Sequence, residues 1–219
     1  MTNAAKTAAK RRYVERPDIR TKLLDSAEAL IREEGYAAAT ARKIASRVKL
    51  KHQAIFYYFG SQDELLIEVF RRSAKTHREN LEVALNSPKP LSAMWDVIRD
   101  PEVTRFTLEF MALANHNEAI RNELASNAAE VRNLETEAVD RHLKQRGIDP
   151  KLSPQLVSIL TNALGRLLVQ EATLGIHTGH HEAEALVEGS LRSFEAMGDT
   201  VEGVSPIVAA ISATEGTTY

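Results

Sequence analysis

Residues 36–60 read YAAATARKIASRVKLKHQAIFYYFG, and the architecture turns on how this stretch folds. It carries Arg42, Lys43, Arg47, Lys49 and Lys51 and not one Asp or Glu. Thr40 is placed to cap a short helix that turns Ile44, Ala45 and Val48 inward. Ile55, Tyr58 and Phe59 then fall at i, i+3 and i+4, the spacing of one helix face, and form an inward seam on a second helix. Val48 and Leu50 close the corner between the two. Lys51, His52, Gln53, Ala54 and Tyr57 are left to face outward.

The charge of the whole chain hides this basic segment. Residues 1–60 hold 13 Lys and Arg against 6 Asp and Glu, a balance of +7. The remainder balances at −9, so the net −2 conceals a basic head on an acidic body. Such a head suits a polyanion, and double-stranded DNA is the expected partner.

Outward from the head, nearly every periodic segment has the helical period, and no run alternates as a strand would. The expected fold is all-α, with a three-helix N-terminal head and a larger helical body. Residues 1–16 are rich in Ala, Lys and Arg with no apolar face and read as a flexible basic arm. Pro17 suits the first turn of a helix whose apolar positions are Ile19, Leu23, Leu24, Ala27, Leu30 and Ile31, and Gly35 ends it. The head is assigned to 17–62 and the body to 63–198, with a loosely held tail over 199–219. Ser61-Gln62-Asp63-Glu64 has the pattern of a capping box and opens a long amphipathic helix towards Leu85, which Ser87-Pro88-Lys89-Pro90 breaks. Further helices are expected near 91–99, 102–115, 118–146, 153–176 and 181–197.

A hydrophobic content of 43% suffices for a packed core, and the absence of cysteine excludes disulfides and thiolate metal sites. The first residues have charge without an apolar run, so no signal peptide is expected. No window approaches the apolar length of a membrane span. A cytoplasmic protein without a membrane partner is the expectation.

The chemistry of a helix-turn-helix reader assigns roles to the outward residues. Gln53 suits a bidentate contact to adenine, Lys51 or His52 a guanine or phosphate, and Ala54 a thymine methyl. Thr40, Arg42 and Tyr57 suit phosphate oxygens, which fix register without carrying sequence information. Tyr58, on the seam, is counted with this set. Lys10, Arg11 and Arg12 of the arm are placed along the DNA backbone or in a minor groove.

From Arg20 to Val69, RTKLLDSAEALIREEGYAAATARKIASRVKLKHQAIFYYFGSQDELLIEV, the chain resembles the DNA-binding domain of the tetracycline-repressor (TetR) family. The matching parts are Glu34-Gly35-Tyr36, Thr40, Ile44-Ala45, Ile55-Phe56-Tyr57-Tyr58-Phe59 and Asp63-Glu64-Leu65-Leu66. The resemblance implies a homodimeric, all-helical transcriptional regulator, a repressor, that alters its grip on a palindromic operator when a small molecule enters the body. Departures are Lys49 where the family usually has Gly, Lys51 where it has a capping Ser or Thr, and Phe56 where it has Tyr. The last removes one hydroxyl for phosphate contact.

In the body, Leu156, Ile159, Leu160, Ala163, Leu164, Leu167 and Leu168 form a wide apolar stripe. Ala183, Leu186, Val187, Leu191 and Phe194 form another. Both resemble the helix pair that makes the family's dimer interface, and Leu156, Leu160, Ala163, Leu167, Leu186, Val187, Leu191 and Phe194 are assigned to it. Trp95, Phe106, Phe110 and Met111, with Glu109 and Asn162 as polar members, are the expected lining of an effector cavity. His177, His180, His181, Glu182 and Glu184 fall in a Gly-bounded loop without metal-ligand spacing, so neither a metal nor a cofactor is expected. No G-x-S-x-G, P-loop or G-x-G-x-x-G occurs, which argues against the alternative of a helical enzyme. A purely structural adaptor would leave the basic head unexplained.

Overall fold

The computed structural model describes residues 17–145, 147 and 153–196, and every regular element among them is helical. The arm expected at 1–16 and the tail expected at 199–219 lie outside the described residues. The helices are α1 (Pro17–Glu34), α2 (Ala41–Arg47), α3 (Gln53–Phe59), α4 (Gln62–Leu85) and α5 (Pro90–Ile98), followed by α6 (Pro101–Ala114), α7 (Glu118–Gln145), α8 (Pro154–Thr173) and α9 (His180–Ala196). A single 3-10 turn, Tyr36–Ala38, separates α1 from α2. Of the described helices, none is long and apolar enough to cross a membrane.

Local signals set most boundaries. Gly35 takes φ 84°, which ends α1 where an L side chain would be strained. Thr40 accepts from Lys43 N–H and caps α2, and Ser61 accepts from Glu64 N–H at 3.0 Å at the start of α4. α8 stops at Thr173 rather than 176 because Gly175 turns left-handed and Ile176 N–H returns to the Glu171 carbonyl at 2.9 Å.

The chain divides into two compact units: Met1–Lys75 with Arg105–Ala125, and Thr76–Thr104 with Ser126–Tyr219. The first is built on one apolar cluster. Leu23, Leu30 and Ile31 of α1 meet Ile44 of α2, Ile55 of α3, Leu65 of α4 and Phe110 of α6, all essentially inaccessible. Arg72 of α4 binds Asp25 and Glu28 of α1 at 2.6 and 2.7 Å, and Arg32 binds Glu28 at 2.9 Å. Burial raises the Glu28 carboxyl, but its hydrogen bonds from Arg72 and Arg32 outweigh that and hold it below the ordinary carboxylate range.

The second unit has its own core. Leu81, Leu91, Met94, Trp95 and Ile98 pack with Val131, Val139, Leu168, Val187 and Leu191. Glu195 of α9 accepts from the N–H groups of Leu91 and Ser92 at 2.9 Å each and from the Ser92 hydroxyl at 2.7 Å. A carboxylate from the last helix thus caps α5, satisfying amides the helix cannot pair itself. Glu135, 1% exposed, accepts from Ser158 Oγ at 2.5 Å and Asn162 Nδ2 at 2.7 Å and ties α7 to α8.

α8 approaches α5 closely at Gly165, where an added Cβ would lie 2.6 Å from Ile98 Cγ2 and 3.1 Å from Trp95 Cζ3. Gly165→Ala is expected to lower stability by about 1–2 kcal/mol in denaturant unfolding, overpacking outweighing the better helix propensity of Ala. A gain in stability would show that α5 yields to the methyl.

Candidate nucleic-acid interface

α2 and α3 are joined by a turn in which one carbonyl accepts twice. Ala45 C=O accepts from Val48 N–H at 3.2 Å and Leu50 N–H at 2.9 Å, and Lys49 N–H returns to Ser46 C=O at 3.0 Å. This is a Schellman end, in which the residue after the cap must be left-handed. Lys49 occupies it with φ 59°, the only non-glycine at positive φ among the described residues. No Gly is present to relieve the turn, so the backbone accepts the strain and a lysine side chain is projected from the corner.

α3 starts without a side-chain cap: His52 offers none, and the first turn closes by Ala54 N–H to Lys51 C=O at 2.9 Å. Lys51 and His52, just before it, and Gln53, Phe56 and Tyr57 on it are exposed. Ile55 and Phe59 are buried, and Tyr58 is half-buried against the first core, edge-on to Tyr57 at 5.2 Å. Ala54 corrects the expectation that it faces outward: it is 7% exposed, one residue before Ile55 and four before Tyr58, so helix geometry places it with the seam. It cannot present its methyl to a base.

Electrostatics sort the basic residues. Glu34 pairs with Lys43, and Glu33 with Arg47 at 2.9 Å, so the end of α1 neutralises one side of α2. Arg42, Lys49 and Lys51 are exposed and make no ion pair among the described residues. They lie with Thr40, His52 and Gln53 on the segments that form the turn. Lys10, Arg11 and Arg12 lie outside the described residues.

Three contacts brace this pair of helices, and the sequence reading missed two of the residues that make them. Gln62 in the first turn of α4 accepts from Ala41 N–H at 3.0 Å and donates to Ala39 C=O at 3.2 Å, tying the start of α2 to α4. Ser26 Oγ donates to Ile44 C=O at 2.9 Å inside the core. Glu109 of α6 accepts from Tyr36 N–H at 2.7 Å, and its carboxylate lies 3.1 Å from where a Cβ on Gly35 would stand. Glu109, expected as a polar member of an effector cavity, is therefore committed to the backbone that leads into α2. Nothing local announces these bonds, since the partners are 18 to 73 positions apart.

The other expected cavity residues divide between the units. Phe106 and Phe110 belong to the first and pack ring to ring at 5.0 Å, while Met111 is 49% exposed. Trp95 and Asn162 belong to the second. Asn162 is buried and donates to Glu135 and to the Ser158 carbonyl. Trp95 is buried with its indole N–H unpaired among the described residues, beneath Arg99 at 5.0 Å from the ring centroid.

The apolar stripes of the body also divide. Leu156, Ile159, Leu160, Ala163 and Leu167 of α8 and Leu186 of α9 are exposed, the five large ones between 38% and 47%. Val187 and Leu191, expected on the same surface, are instead 6% and 4% exposed within the second core, and Phe194 packs against it. Nor is any group of three or more side chains among the described residues arranged to hold a metal; His180 pairs with Glu171 at 2.9 Å.

Residues 23–69 match the family model of bacterial regulatory proteins of the tetR family, a segment that contains α2, the turn and α3. A transcriptional regulator described from Saccharomonospora viridis, in complex with choline, superposes with a TM-score of 0.65 at 20% identity, covering 78% of this chain and 96% of that one. A protein from Rhodococcus sp. described as a TetR-family regulator gives 0.66 at 17% identity, covering 80% and 98%. One from Pseudomonas aeruginosa, described as a transcriptional regulator, gives 0.63 at 22%, covering 82% and 95%. Among curated proteins none matches significantly. The all-helical fold is therefore similar to that of these three proteins. More narrowly, the match to the tetR family model is confined to residues 23–69, the N-terminal segment of the chain.

Relieving the strained turn tests its geometry. Lys49→Gly is expected to stabilise the chain by about 0.5–1 kcal/mol in thermal unfolding, the left-handed penalty exceeding the entropy glycine adds to the unfolded state. Destabilisation would mean that the Lys49 side chain itself holds the corner.

Proposed function

We propose that this chain is a homodimeric, ligand-responsive repressor that binds a palindromic operator from the cytoplasm. The observation that carries the reading is the coincidence of the family match at residues 23–69 with three exposed cations, Arg42, Lys49 and Lys51, that make no ion pair among the described residues and precede α3 in the chain. In this reading Arg42, Thr40 and Tyr57 hold phosphates, Lys49 and Lys51 add to the salt dependence, and His52 and Gln53 reach base edges. The arm with Lys10, Arg11 and Arg12 adds backbone contacts. Tyr58 acts through Tyr57, as the ring that sets its orientation.

The exposed face of Leu156, Leu160, Ala163, Leu167 and Leu186 supports dimerisation, since several large apolar residues in sequence register on one surface are covered in most soluble proteins. A two-fold dimer presents two α3 helices to half-sites about one helical turn or a multiple apart. The effector is a small molecule bound in the second unit, where the buried, unpaired Trp95 N–H supplies a donor. α4 contributes residues to both units, and Gln62 ties its first turn to α2. Effector binding acts by its differential affinity for the arrangements of α4 that fit and do not fit the operator.

Selection of bound duplexes from a random pool, followed by a salt titration, tests the reading: a palindromic winner with steep salt dependence is expected. On it, Tyr57→Ala and Lys51→Ala weaken binding without changing thermal unfolding, and Gln53→Ala loses about 1–3 kcal/mol of discrimination at one base step. Binding that no sequence enriches, or that salt leaves unchanged, counts against a repressor.

The oligomer is tested separately. The chain should sediment at twice its 24.3 kDa mass, and Leu160→Glu with Leu167→Glu should return it to a folded monomer with a large loss of operator affinity. A double variant that stays dimeric removes this face from the interface.

A further inference from the structure

On α3, Phe56 is 50% exposed, and it stands perpendicular to His52 with ring centroids 6.5 Å apart. It sits three residues after Gln53 and four after His52, on the same outward face, while the Ala54 methyl is buried beneath. Among the outward residues of α3 it alone has no polar atom in its side chain, so it holds no phosphate and accepts no base hydrogen bond. What an aromatic ring in a major groove can recognise is an apolar group on a base edge, and in DNA that is the thymine C5-methyl.

We propose that Phe56 is a specificity-determining residue that reads a thymine methyl next to the base step read by Gln53. The proposal rests on the DNA-binding reading above. Three helical residues span about 4.5 Å along α3, close to one base-pair rise of about 3.4 Å, so the two contacts fall on adjacent or next-adjacent steps. The hydroxyl that the family usually has at this position is absent here, which exchanges a polar tip for an apolar one. His52, set against the ring, limits how far it swings.

Uracil separates a methyl contact from every other property of the base, because it keeps the thymine hydrogen-bonding groups and lacks only C5-methyl. The full-length protein is titrated against its selected operator and against duplexes in which each thymine in turn is replaced by uracil, for wild type, Phe56→Ala and Phe56→Tyr. One step per half-site is expected at which wild type binds uracil about fourfold more weakly, the worth of one buried methyl. Phe56→Ala should bind the two bases equally at that step while keeping its response at Gln53's step, and Phe56→Tyr should retain the preference. Wild type indifferent to every uracil, or a preference that survives in Phe56→Ala, overturns the proposal and leaves the regulator standing. An operator without thymine near the Gln53 step overturns it equally. Failure to select any operator removes both readings together.

Discussion

The carbonyl of Ala45 is the acceptor on which the α2–α3 pair depends. It takes hydrogen bonds from Val48 and Leu50, and those two bonds reverse the chain between α2 and α3. Because the reversal is complete within four residues, Leu50 can pack on the core beside Val48 while Lys51, His52 and Gln53 emerge on the opposite side. A looser turn would rotate α3 and bring Ile55 out of the cluster it shares with Leu30 and Ile44. The left-handed Lys49 is the local strain that accompanies this geometry, and its side chain becomes part of the positive rim.

Charge is distributed on the same plan. Of five basic residues between Tyr36 and Gly60, Lys43 and Arg47 are spoken for by Glu34 and Glu33 at the end of α1. Exposed pairs of this kind contribute little to stability. Their effect is on where charge is left: Arg42, Lys49 and Lys51 remain without an ion pair among the described residues.

Long-range polar contacts hold the backbone where helices cannot satisfy themselves. Glu109 serves Tyr36 N–H, Gln62 serves both Ala41 and Ala39, and Glu195 serves Leu91 and Ser92. In each case a side chain from a distant helix supplies a partner that a local cap would otherwise provide. Removing one leaves a buried or part-buried backbone group without its partner, which costs more than the bond itself contributes. Position in sequence gives no hint of such pairs, and Glu109 illustrates the result: a carboxylate on an apolar helix reads as a ligand group until its partner is seen.

Helical period, the Gly35 stop, the Thr40 cap and the Ser61 start are properties of residues close in the chain, so the all-α class and nearly every helix boundary could be read without coordinates. The linked spacing from Glu34 to Leu66 likewise carried the TetR resemblance. What could not be read was the division of wide apolar stripes between core and surface. Leu186 and Val187 are neighbours in sequence, yet one is 47% exposed and the other 6%, and Ala54 is buried beside an exposed Gln53. A stripe tells which side of a helix is apolar. Only the packing of α5 and α7 against α8 and α9, and of α1 and α4 against α3, decides how much of that side is covered, because burial depends on the other helices that arrive there.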